Sequence, residues 1–180
     1  MSNNNLSNKV AVVTGGADGI GEGIARTLWA RGARVIIADI QEEKGEALAD
    51  ELGVNASFAL LDVTDPSSWE RLVAELQSSP GRLDILVNNA GGGGFGNLDQ
   101  LTIEEWRKIM ALNMDSVFLG CKAASALLQA DGGGSIINIS STNANRAWPM
   151  FSGYCAAKAG MTMFSKCVAQ HFLETNAKVR

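Results

Sequence analysis

Histidine and tyrosine occur once each in this chain of 180 residues, and proline and cysteine three times each. Each scarcity excludes something. The single histidine, His171, would have to serve any Ser-His-Asp triad, yet it lies in an apolar-periodic segment and reads as an ordinary helix residue. Metal centres built from histidine and cysteine lack material, so no metal is expected. Cys121, Cys155 and Cys167 are odd in number and show no C-x-x-C spacing, which argues against a disulfide framework and for a reducing compartment. Positive charge is outnumbered, 15 Lys and Arg against 19 Asp and Glu, for a net charge of −4. No basic field exists to attract nucleic acid or anionic lipid. No apolar run approaches the roughly 18 residues that span a bilayer. The polar segment Met1–Asn8 has neither the charged nor the apolar region of a secretory leader. A cytoplasmic protein without membrane or nucleic-acid partners is expected. Scarce proline beside 20 glycines suits tight turns and close backbone approach rather than disorder.

Against these absences stands a regular alternation of short β-branched runs and longer helical stretches. Val10 to Thr14 is continuously apolar, as a strand buried on both faces requires. Ile20 to Arg31 has helical spacing and stops at Gly32. Strands are expected at Arg34 to Asp39, Ser57 to Leu61, Asp84 to Asn88 and Ser135 to Ser140. Helices are expected at Glu42 to Leu52, from Asp65-Pro66 to about Gln77, from the Thr102/Glu105 capping box to about Ala130, and from Ser152 to Thr175. Strands alternating with helices imply right-handed βαβ units and a parallel sheet covered on both faces. The fold class is therefore α/β, a doubly wound parallel sheet. No linker or repeat divides the chain, so residues 1–180 are expected to form one domain.

The polar signals fall at the carboxyl ends of these strands, where open α/β sheets bind their ligands. Thr14-Gly15-Gly16-Ala17-Asp18-Gly19-Ile20-Gly21 joins the first strand to the first helix, a variant of the Rossmann dinucleotide pattern in its proper context. Gly15 allows the tight turn, Gly19 lets backbone approach a pyrophosphate, and Gly21 lets the helix pack close to the sheet. The helix start from Gly19 and Ile20 offers free N–H groups to the phosphates. No Lys-Ser/Thr follows the glycines, so this is not a P-loop. Asp39 ends the second strand, placed to accept hydrogen bonds from the adenosine ribose and to repel a 2′-phosphate. Asp18 adds a second negative charge, and no basic residue directly follows Asp39. NAD is expected rather than NADP. Asp62 and Val63 end the third strand, where an adenine edge would lie, and Asn88-Asn89-Ala90-Gly91 ends the fourth.

Near the other end, Tyr154 and Lys158 form a Y-x-x-x-K pair, with Ser141 thirteen residues before the tyrosine. Four residues apart, the pair shares one helix face. A tyrosine pKa near 10 is too high for a base at neutral pH, and a neighbouring ammonium stabilises the phenolate. Tyr154 can then accept or donate a proton at a substrate oxygen. Ser141 lies just past the fifth strand, where its hydroxyl can stabilise negative charge on that oxygen.

In this order and at these spacings, the glycine motif, Asn88-Asn89-Ala90-Gly91, Asn113, Ser141 and Tyr154-Cys155-Ala156-Ala157-Lys158 resemble the short-chain dehydrogenase/reductase family over essentially the whole chain. The resemblance implies interconversion of secondary alcohols and ketones with NAD(P), usually by homodimers or homotetramers. By the same resemblance Lys158 also holds the nicotinamide ribose, Asn113 supports a water-linked proton relay to the lysine, and Ser141 is favoured over its neighbour Ser140. The substrate would lie between the segment 141–154 and the loop after Gly91, where Trp148 and Phe95 either meet an apolar substrate body or pack against the rim or a partner subunit. Family members usually run further. The later strands and the loop over the substrate are expected to be lacking, which would leave the fifth strand as an open edge and leave Met161, Phe164 and Phe172 on the last helix either uncovered or against another subunit. A catalytically silent NAD-binding or subunit-interaction module is the alternative on that count.

Overall fold

A computed structural model describes residues 5–130, 132–175 and 177–180. Five strands, β1 (Val10–Thr14), β2 (Arg34–Asp39), β3 (Ala56–Leu60), β4 (Ile85–Asn88) and β5 (Ser135–Asn138), form one sheet in the order β3-β2-β1-β4-β5. All four neighbouring pairs are parallel. The α/β doubly wound fold expected from the alternating pattern is the fold observed.

Period two of the strand backbone sorts the side chains into two cores. Val10, Val12, Ile36, Ala38 and Leu86 join one apolar cluster with Trp69, Leu72, Leu127 and Leu128. Ala11, Val13, Val35, Ile37 and Val87 join the other with Ala25, Leu48 and Leu52. The helices are α1 (Gly19–Ala30), α2 (Glu42–Leu52), α3 (Pro66–Ser78), α4 (Ile103–Met110), α5 (Ser116–Ala130) and α6 (Ser152–Glu174), of which α1, α2, α3 and α5 supply these partners. Local chemistry sets their ends. Asp18 caps α1, Asp65 caps α3 ahead of Pro66, and Thr102 with Glu105 closes a reciprocal capping box on α4. Gly53 takes φ +68° as α2 stops.

Three expectations are corrected. The long helix from Thr102 does run to Ala130 but is not α throughout: one wide π turn, Ala111–Asp115, joins α4 to α5. The cause sits at its centre, where the buried Asn113 amide donates to Ile109 O (3.0 Å) and Gly92 O (2.8 Å), competing with the regular ladder. The outer edge of β5 is not wholly open. Residues 178–180 run beside its start through Gly134 N–H to Lys178 O, Arg180 N–H to Gly134 O, and Ile136 N–H to Arg180 O, at 2.7–3.1 Å. Finally, Met161 and Phe172 are buried within the chain, and Val179 enters the same cluster as Phe172. Phe164 is half-buried, its ring edge-on to Phe118. Smaller differences touch strand ends: β3 begins and ends one residue earlier than expected, β4 begins after Asp84, and β5 stops at Asn138.

No helix among the described residues is long and apolar enough to cross a membrane. Those residues also hold no cluster of three or more His, Cys, Asp or Glu suited to a metal ion.

Candidate active site

Consecutive strands run outward from β1 to β2 and β3 on one side, and from β4 to β5 on the other. The carboxyl ends of β1 and β4 therefore part into a crevice at the point where the winding reverses. A cleft of about 520 Å³ occupies this position. Gly15, Asp18, Gly19, Ile20, Asp39, Asp62, Val63, Asn89, Ala90, Gly91, Tyr154 and Lys158 all line it. Gly21 does not. It packs behind the wall, where a Cβ would lie 1.9 Å from Gly15 O and 2.5 Å from Asn89 Nδ2.

The cleft floor is a knot of hydrogen bonds joining the glycine loop to the end of β4. Thr14 Oγ1 accepts from Asn89 N and Ala90 N, both at 3.0 Å, and donates to Val87 O. Asn89 Nδ2 donates to Thr14 O (2.9 Å) and Gly15 O (3.1 Å). Gly15 has φ +60°, and a Cβ there would stand 2.9 Å from Ala90 Cα, so the residue needs both glycine's conformation and its lack of bulk. Gly19, at φ +57°, has nothing within 4 Å of its missing Cβ. Its N–H is taken by Asp18 Oδ1 at 2.7 Å, but its missing side chain leaves room for a phosphate to approach the positive end of α1. On this evidence the cradle fits a dinucleotide.

At the far rim, Asp39 is buried. Its Oδ2 accepts from Ala17 N and its Oδ1 from Gln41 N, both at 3.0 Å. A carboxylate has about four acceptor positions, so capacity remains for ribose hydroxyls. Asp18 does not act as an added negative charge in the way its position suggested. Lys44, in the first turn of α2, reaches its Oδ2 at 2.6 Å. The pair shifts both groups: Lys44 holds the Asp18 carboxyl below the usual carboxylate range, and Asp18 raises the lysine. Asp62 accepts from the backbone and hydroxyl of Thr64 at 2.8 and 2.7 Å, and Val63 O accepts from the Trp69 indole at 3.1 Å.

The α6 residues reach the cleft from the opposite side. Lys158 is only 4% exposed. Its Nζ donates to Ile139 O at 2.8 Å and lies 5.7 Å from the Tyr154 ring centroid. Burial pulls the lysine pKa down from its ordinary value. Tyr154 is half-buried, edge-on to Phe151 at 6.3 Å between centroids. Among the described residues nothing hydrogen-bonds its hydroxyl. Ser140 lines the cleft and shares a 2.8 Å bond with the Thr162 hydroxyl. Ser141 caps a short turn at Thr142–Ala144, its oxygen accepting from Asn143 N at 3.1 Å, which leaves its hydrogen available to donate. Asn113 lies behind Gly91 rather than in the cleft wall. A Cβ on Gly91 would stand 2.9 Å from Asn113 Oδ1 and 3.5 Å from Lys158 Nζ.

Gly92 lines the cleft from the loop after Gly91, as expected, whereas sequence reasoning missed Ile40, Gln41, Leu61, Leu112 and Ile139 as cleft residues. Ile139 contributes through its carbonyl, which no side-chain pattern reports. The two stretches expected around the substrate are joined directly, Gly96 N–H donating to Met150 O at 3.0 Å beside a Gly96–Phe151 bridge. Phe95 is largely exposed against Phe151, 4.6 Å between centroids, and Trp148 lies under the Arg146 guanidinium at 5.6 Å.

Comparison with known proteins agrees with this arrangement. The family described as short chain dehydrogenase matches residues 9–180. The chain is 39% identical over 179 residues to the 2,5-dichloro-2,5-cyclohexadiene-1,4-diol dehydrogenase LinX of Sphingobium indicum, covering 98% of this chain and 72% of that protein. It is 37% identical over 166 residues to the 3-beta-hydroxysteroid dehydrogenase of Comamonas testosteroni, covering 92% and 65%. It is 40% identical over 166 residues to the 3-oxoacyl-[acyl-carrier-protein] reductase FabG of Escherichia coli, covering 92% and 68%.

Proposed function

The chain belongs to the short-chain dehydrogenase family of nicotinamide-dependent oxidoreductases, and from that premise we propose that it exchanges a hydride between NAD(H) and a secondary alcohol or ketone, with Tyr154 as acid/base. The observation that carries this reading is convergence. The glycine loop, Asp39, Tyr154 and a buried Lys158 border one cleft, although they come from opposite ends of the chain. Bound NAD(H) supplies the hydride acceptor or donor. The chain's own residues supply the rest.

Gly15, Gly19 and Ile20 hold the pyrophosphate, Asp39 the adenosine ribose, Asp62 and Val63 the adenine edge, and Asn89, Ala90 and Gly91 the middle of the dinucleotide. Gly21 keeps α1 close enough for this. The Lys158 ammonium, fixed by Ile139 O, favours the phenolate of Tyr154. The Tyr154 hydroxyl has no competing partner among the described residues, so it is available to the substrate oxygen. Ser141 donates to that same oxygen with its spare hydrogen. Asn113 holds the backbone of Gly92 beside the lysine and supports proton exchange toward it. Asp39 favours NAD by repelling a 2′-phosphate. We further propose that residues 1–180 act as one NAD-binding domain, in the cytoplasm, in homo-oligomers.

Tyr154→Phe tests the assignment. NADH formation with a panel of secondary alcohols is expected to fall at least 10²- to 10⁴-fold, roughly the scale of general acid–base catalysis. NADH binding, followed by fluorescence, is expected to stay within about twofold, because the hydroxyl supports no bond among the described residues. Retention of most of kcat rejects Tyr154 as acid/base. NADH binding by the unmutated chain without turnover of any alcohol favours the silent module.

A further inference from the structure

We propose that Lys44 and Asp18 form a charge latch that sets how strongly the adenosine-ribose end of the cleft discriminates between NADH and NADPH; this rests on the NAD reading above. Three charges meet at that rim. Asp39 is buried and tied to backbone on both oxygens. Asp18 and Lys44 are each 57% exposed and joined at 2.6 Å. Lys44 also lies in the field of Asp39, which adds to the rise in its pKa after the dominant bond from Asp18. With the latch closed, the two carboxylates and one ammonium leave a net −1 at the rim.

The two partners have different second attachments. Asp18 Oδ1 accepts from Gly19 N at 2.7 Å and so caps α1. Lys44 has no other bonded partner among the described residues and stands in the first turn of α2. An exposed ion pair of this kind is held weakly, so Lys44 can turn from Asp18 to a stronger anion. A phosphate dianion carries more charge than a carboxylate and accepts more bonds. Asp18 therefore competes with a 2′-phosphate for Lys44, weakening that contact by about the worth of an exposed ion pair without abolishing it. Lys44 in turn keeps Asp18 from adding to the repulsion set by Asp39.

Kd values for NADH and NADPH, from nicotinamide fluorescence, test both halves. Asp18→Asn keeps a capping oxygen for α1 but releases Lys44. The NADPH-to-NADH affinity ratio is expected to rise about two- to fivefold, the scale of an exposed ion pair. Lys44→Gln is expected to lower the ratio by a similar factor, and Lys44→Arg to restore it. At 1 M salt, where the screening length is about 3 Å, these differences should shrink toward none. If Asp18→Asn and Lys44→Gln change both affinities by the same factor, the pair is only a strut and the latch is overturned. Asp39→Asn separates that result from failure of the parent reading. A ratio that moves with Asp39→Asn alone leaves the NAD assignment standing, whereas a ratio indifferent to Asp39→Asn overturns both, as does an unmutated chain that fails to bind NADH.

Discussion

Two glycines two residues apart in α1 should respond to alanine in opposite directions. Gly21 and Gly23 both lie within the helix Gly19–Ala30, so each gains about 0.5–1 kcal/mol when alanine replaces a residue of high backbone entropy. At Gly23 nothing stands within 4 Å of the new Cβ, and the gain should survive intact. At Gly21 the Cβ would lie 1.9 Å from Gly15 O and 2.5 Å from Asn89 Nδ2. Real Cβ atoms essentially never approach closer than 3.0 Å, so α1 must retreat about an ångström from the glycine loop. Overpacking of this kind costs about 1–3 kcal/mol. The retreat also strains the two bonds from Asn89 Nδ2 to Thr14 O and Gly15 O, worth about 1 kcal/mol each. Net of the helical gain, Gly21→Ala should destabilise by about 2–4 kcal/mol, whereas Gly23→Ala should stabilise by up to about 1 kcal/mol. At about 2–4 °C per kcal/mol for a domain of this size, the two melting temperatures should separate by roughly 4–20 °C. Urea denaturation of both variants, with the slope m compared, is the assay. NADH affinity should fall with Gly21→Ala and hold with Gly23→Ala. Equal midpoints for the two variants would refute the close-approach account of Gly21.

Two further outcomes concern buried charge. Burial raises the Asp84 carboxyl, but bonds from Arg82, Lys9 and Val10 N–H outweigh it and hold the pKa below its ordinary value. A depressed folded pKa means stability that is present above the unfolded value, near 3.9, and lost as pH falls through the folded one. Asp84→Asn should therefore cost about 2 kcal/mol at neutral pH and flatten the loss of stability below about pH 4, as read from urea midpoints across pH. Lys158→Met keeps the apolar stem while removing the ammonium, whose loss of hydration offsets its single bond to Ile139 O. Its urea midpoint should stay within about 1 kcal/mol of the parent while NADH affinity and turnover both fall; a larger loss of stability would make the lysine a structural strut instead.

Much of the fold was legible because it is encoded locally. The uninterrupted apolar run of β1 announced a strand covered on both faces, and Asp65-Pro66 and Thr102/Glu105 marked helix starts that the backbone reproduces. Asn113 is a residue of weak helix propensity inside a stretch of helical pattern, but its consequence, the π turn at Ala111–Asp115, needs Gly92 from another segment as hydrogen-bond partner. Asp18 read as a bare negative charge because Lys44 lies 26 residues away and on a different helix. The carbonyl of Ile139 was invisible for a different reason: every residue has one, and only the path of α6 selects this one for Lys158.

The sequence by itself determined the order of elements, the parallel class of the sheet and the placing of the polar motifs at strand ends. These follow from side-chain period, capping chemistry and the handedness of βαβ crossovers, which act over a few residues or one unit. Tertiary structure alone decided which charges meet, which carbonyl anchors the lysine, and how far residues 178–180 close the edge of β5. Those contacts join segments far apart in the chain, so their distances depend on the summed geometry of every turn and helix between them.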